Sequence, residues 1–184
     1  MSRKPATYAD IEALPSHRLG EIIGHELIVS PRPGGPHAFA TTGLVGQLDG
    51  PYQRGVGGPA GWLLLFEPEL HFGSEVLVPD IAGWRNERAP SASNVFFTIA
   101  PDWVCETLSP STAIIDRTRK LDVYRQQRVS FVWLIDPVMR TLEVLRLEGL
   151  SWVVAGNYGG EEKARVPPFD AGELDLAALW LPKA

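Results

Sequence analysis

The chain has 184 residues, 45% hydrophobic and 21% charged, enough for one ordinary core and too little for two comfortable domains, so a single domain over 1–184 is expected. Its 17 Lys and Arg stand against 22 Asp and Glu, a formal charge of -5, which excludes a histone-like or tail-driven nucleic-acid binder. One cysteine makes no internal disulfide, CxxC pair or zinc cage, and the reading is a reducing, cytoplasmic compartment.

The opening MSRKPATYADIEALP lacks the continuous apolar region of a secretory signal, and the longest apolar runs fall far short of a membrane span. Residues 7–14 predict a short helix, with an N-cap candidate, early carboxylates and a following Pro. Glu21 lies in a second short segment. A turn at Gly24 leads into a strand around Leu27 to Val29, and apolar spacing predicts a helix over His37 to Leu48. Strands are expected at Trp62–Phe66, Glu69–Phe72, Val76–Trp84 and Trp103–Leu108. A helix follows over Thr112–Gln127, with SPST supplying cap residues. Phe131–Asp136, Thr141–Leu147 and Ser151–Ala155 read as further strands, and a short amphipathic turn lies near Leu174–Leu181. The fold class is α/β or α+β with a mixed sheet.

Two carboxylates stand out. Alternation puts Asp80 of VLVPDIAGW on the face of Val76 and Val78, and Glu106 of PDWVCETLSPST between Val104 and Leu108. Acids on apolar faces are costly unless something positive sits between them. Mg²⁺ suits that role, because it takes one or two carboxylates and keeps several waters; Mn²⁺ would substitute. Asp80, Glu106 and the main-chain carbonyl of Thr107 would form such a site. Fourteen residues after Glu106, Lys120 shares a helical face with Asp116 and Tyr124, placed to aim its ammonium at the carboxylates.

GEIIGHELIVSP, His37, VPDIAGW, PDWVCETLSPST and DRTRKLDVYRQQRVSFVWLIDP followed by TLEVLRLEG, in this order and spacing, resemble the Uma2-like (DUF820) group of PD-(D/E)XK nucleases. The resemblance spans roughly residues 7–150, with 151–184 as an extension. It implies a restriction-endonuclease-like αβββαβ core with extra strands and a Mg²⁺-dependent endonuclease acting on nucleic acid, with DNA foremost. Asp80 would be the PD aspartate and Glu106 the (D/E)XK acid, both metal ligands. The third motif position is Leu108 instead of lysine, and Lys120 on the next helix takes the matching place. Glu21 resembles an acid found on the first helix of such nucleases, where it can hold a water on the metal or a second metal. His37 matches a histidine frequent in the group and, with Arg117 and Arg119, is a candidate for substrate contact.

Other readings stand beside these. Asp80 could only end a strand, Glu106 could be ion-paired with Arg117 or Arg119, and Lys120 could be a surface lysine paired with Asp116. Glu21 and His37 fit solvated helix ends, and Cys105 fits a packed thiol. An inactive nuclease-fold module that binds nucleic acid or a protein partner is the alternative function. Nucleases that cut both strands are often two-fold dimers, and the aromatic, Pro-rich tail offers material for a homodimer interface.

Overall fold

In the computed structural model, which describes residues 4–182, the chain passes between two larger β-sheets, and its last passage is the connector that carries Asp80. The first elements are α1 (Tyr8–Glu12) and the hairpin β1 (Arg18–Ile23) and β2 (Glu26–Pro31). Gly24 and His25, both at positive φ, make its tight turn. Next comes α2 (Gly35–Leu48), which runs on into a π-helical turn (Asp49–Gln53). Strands β3 (Trp62–Phe66), β4 (Leu70–Phe72), β5 (Glu75–Leu77), β6 (Ile81–Arg85) and β7 (Trp103–Thr107) follow. A helical stretch is built from α3 (Ala113–Ile115), a π-helical segment (Asp116–Lys120) and α4 (Leu121–Gln126). The chain then forms β8 (Phe131–Asp136), β9 (Thr141–Glu148), β10 (Ser151–Gly159), the small pair β11 (Lys163–Ala164) and β12 (Leu174–Asp175), and a 3₁₀ turn (Leu176–Leu179).

The small sheet has the order β2-β1-β5-β4 and the large one β10-β9-β8-β7-β6-β3. Among the described strands only β7 and β8 pair with each other in parallel, and the α3–α4 stretch is the crossover such a pair requires. The order α2, β3, β6, β7, helix, β8 traces the αβββαβ core that the sequence implied.

Strand β7 is central and wholly buried, so its two faces serve two cores. Trp103 and Cys105 face α2 and the C-terminal tail, where Phe169, Leu176 and Trp180 pack. Val104 faces the other core, with Val123, Tyr124 and Leu134. The tail aromatics are therefore buried in this chain, because without them Trp103 and Trp133 would lie open on that face of the sheet. Among the described residues no helix is long and apolar enough to cross a membrane.

Two expectations change. The continuous strand over Val76–Trp84 is two strands in different sheets, with Val78, Pro79 and Asp80 as the connector. Pro79 has no N–H to give a ladder, and the Val78 N–H donates to Glu21 Oε1 instead. Asp80 is thus freed from the alternation that put it level with Val76 and Val78. The second change is Glu21, which lies on strand β1 and not on a helix; the hairpin partner β2 holds that segment extended.

Candidate active site

The antiparallel pairing of β6 and β7 ends at Ile81 opposite Cys105, which leaves Asp80 and Glu106 facing each other one step beyond the ladder. Asp80 Oδ2 accepts the Thr107 N–H at 2.6 Å, and this contact ties the connector to the end of β7. The N-terminal turn of α2 then brings His37 Nε2 to 3.1 Å from Asp80 Oδ1, while its Nδ1 is buried without a partner. Thr41, one turn along α2, meets the Thr107 hydroxyl at 3.0 Å and fixes that helix against β7.

Glu106 is 2% exposed and has a donor on each oxygen. Tyr124 donates to Oε1 at 2.5 Å and Lys120 to Oε2 at 3.2 Å. Lys120, 4% exposed, also reaches Glu21 Oε1 at 3.0 Å and Asp116 Oδ1 at 3.3 Å. The last contact lies inside the π-helical segment, a wide turn that is rare and occurs frequently at functional sites. Asp116, Lys120 and Tyr124 share one helical face, as their spacing predicted. The alternative of a surface lysine is excluded by its burial.

Charge in this pocket does not balance. Glu21, Glu106 and Asp116 all contact one lysine, and Asp80 lines the same cavity. Burial pushes the Glu106 carboxyl well above the usual range; Lys120 opposes that shift, while Asp116, Asp80 and Glu21 add to it. Burial alone would lower the Lys120 ammonium, but Glu106, Glu21 and Asp116 outweigh it and hold lysine charged well above its ordinary value. The Glu106 shift comes first from burial and the Lys120 shift from its carboxylate neighbours, and the surplus of acids over cations pushes both upward. Burial, then Glu106, keeps the Tyr124 phenol protonated and therefore a donor.

Among the described residues no three His, Cys, Asp or Glu side chains form a ready-made metal cage. The donor chemistry nevertheless suits a hard divalent ion: carboxylate oxygens from two adjoining strand ends, surplus negative charge, and a cavity of about 130 Å³ beside them. That volume holds a few waters, whereas pockets that engulf a small organic ligand start at about 300 Å³. A nucleotide could meet the site only at its mouth.

The structure brings together Glu21, His37, Asp80, Glu106, Thr107 and Lys120, all of them lining this cavity. It does not bring Arg117 or Arg119. Arg117 pairs with Glu143 on β9, and Arg119 pairs with Glu26 on β2 at 2.8 Å. Neither is the partner of Glu106, so the arginine pairing considered for that acid is replaced by Lys120 and Tyr124. Sequence reading passed over Arg32, Glu67 and Tyr124 as site residues. Only Tyr124 carried a usable signal, its helical spacing from Lys120.

Residues 6–178 match the Uma2 family, described as "putative restriction endonuclease". The chain belongs to this family. A crystal structure of a protein from Anabaena variabilis, titled a "putative nuclease belonging to DUF820", shares the fold with a TM-score of 0.75 and 26% identity, over 95% of this chain and 97% of that one. No functionally curated protein matched. The resemblance in the sequence and the restriction-endonuclease-like fold it implied are therefore both found, and this Uma2 chain keeps the mixed sheet expected of it.

Proposed function

We propose that this chain is a Mg²⁺-dependent endonuclease that hydrolyses phosphodiester bonds, DNA foremost, in a reducing cytoplasm. The observation that carries the reading is the carboxylate surplus around Lys120, facing a small cavity at the end of two core strands. A stable protein gains little from burying three acids around one lysine with a fourth, Asp80, beside them, and such a cluster suits a site that takes up a cation. Asp80, Glu106 and the Thr107 carbonyl would hold Mg²⁺ or Mn²⁺, with Glu21 at its edge. When bound, the ion supplies an acidified water and charge stabilisation at the phosphoryl oxygens.

The chain's own groups do the positioning. Thr107 N–H and His37 Nε2 fix the two oxygens of Asp80, and Tyr124 fixes Glu106. Lys120 has three N–H donors and three carboxylate partners, so it can donate to a water or a phosphoryl oxygen only by giving one of them up. Once released, the ammonium would steady the extra negative charge of the transition state. Cutting both strands would take two copies of the site, which a homodimer provides.

The test is cleavage of supercoiled, linear and single-stranded DNA and of RNA in Mg²⁺ or Mn²⁺. The proposal fails if no substrate is cut, or if Glu106→Ala cuts as well as wild type. The satisfied state of Lys120 supports a second reading, an inactive nuclease-fold module whose ion-pair network needs no metal. Calorimetric titration with Mn²⁺ separates them: binding that needs both Asp80 and Glu106 supports the enzyme, and absence of binding supports the module.

A further inference from the structure

A polyanion approaching this pocket meets an acidic interior, so something at the mouth has to draw it in. Among the described residues two Lys or Arg side chains line the cavity, Lys120 and Arg32. Lys120 is buried and fully engaged. Arg32 has a side chain 55% exposed, and its contacts are loose: the Ser16 carbonyl at 3.3 Å, and Glu67 Oε2 at 3.6 Å, beyond hydrogen-bonding reach. Most of its five N–H donors are therefore uncommitted, in the planar fork that matches a phosphate.

The surroundings suit that use. Pro31 and Pro33 flank Arg32 and restrict its backbone, which lowers the cost of holding it over the opening. Ser109, Ser111 and Thr112 line the same cavity, and the Ser109 hydroxyl bonds those of Ser111 and Thr112 at 3.0 Å, with further capacity left. Glu67 is held in turn: it sits at positive φ, and its N–H donates to the Asp80 carbonyl at 3.0 Å. The acid that faces Arg32 is thus tied to the same connector that carries a proposed metal ligand.

We infer that Arg32 grips a phosphate of the nucleic-acid backbone at the mouth of the pocket, and that Glu67 competes with that phosphate for the guanidinium. This rests on the nuclease reading above and adds the side chain that meets the polyanion. Arg32 contributes to binding and Glu67 opposes it, so the pair sets how strongly substrate capture depends on salt.

The experiment is cleavage of a labelled DNA duplex in Mg²⁺ at several salt concentrations. Arg32→Ala is expected to raise KM about tenfold, the loss of one charge-assisted contact, with kcat nearly unchanged. The slope of log(1/KM) against log salt should fall by about one. Glu67→Gln should lower KM, and that gain should vanish in the Arg32→Ala background, whereas a general charge effect would persist there. Arg146→Ala, which removes the same charge from β9 where Arg146 pairs with Glu148, should leave KM as it is. An unchanged KM and salt slope in Arg32→Ala, while wild type cuts, overturns this inference and leaves the nuclease reading standing. A wild-type protein that cuts nothing overturns both.

Discussion

Lys120 Nζ lies 3.2 Å from Glu106 Oε2, both side chains are buried, and each shifts the other's pKa: the ammonium opposes the rise of the Glu106 carboxyl, and the carboxylate helps hold the lysine charged. Removing the lysine leaves three buried acids without their cation. Lys120→Met is expected to cost about 3–5 kcal/mol of stability at neutral pH. The contribution of Lys120 is fully present below the ordinary lysine pKa and is lost as pH rises through its raised folded value. Urea denaturation at pH 7 and at a pH above the ordinary lysine value of 10.5 checks this: the cost should be full at pH 7 and shrink as the pH rises toward the raised value.

Glu106→Gln should act in the opposite sense. Because the folded state raises the Glu106 pKa, the native protein binds an extra proton above the ordinary Glu value, and wild-type stability falls as pH rises across that window. The glutamine has no proton to lose. Its Tm is expected to match or exceed wild type at pH 7.5 and to converge with it near pH 4, while cleavage is abolished. A Glu106→Gln protein that unfolds more readily at pH 7.5 would show that the carboxylate stabilises the fold and has no need of a metal.

Mg²⁺ or Mn²⁺ should stabilise the wild-type protein by about 2.7 kcal/mol at a hundredfold excess over Kd. Asp80→Asn and Glu106→Gln should each lose that shift. Thermal melts with and without EDTA provide the measurement, and an identical metal shift in both variants would place the ion elsewhere.

Tyr124→Phe removes a donor from a buried acid and is expected to cost about 1–3 kcal/mol. The phenol favours the charged form of Glu106, so its loss raises that pKa further. The acidic limb of the cleavage profile should therefore move to higher pH. If stability falls and the pH profile stays put, Tyr124 serves packing alone.

Much of this site can be read along the chain. The apolar run of Trp103–Thr107 marks a central strand, and a glutamate within it has to find a partner. The spacing of Asp116, Lys120 and Tyr124 names one helical face, and all three are buried on it. Periodicity reports such things because a side chain's direction is set by its own helix or strand. Other features depend on how separate pieces meet. Pro79 ends one sheet and delivers Asp80 to another, and a hairpin before α2, not a helix, supplies Glu21. Arg117 and Arg119 turn to Glu143 and Glu26 on neighbouring strands, so the basic helix does not face the pocket.

The opening charge balance shows the same division. Composition alone determined that the chain is acidic and cannot hold nucleic acid through a loose basic tail. Only the tertiary structure decided where that acidity matters, since β1, the connector before β6, β7 and the π-helical segment each contribute one carboxylate. Coulomb energies depend on distance and burial, and neither is a property of sequence order.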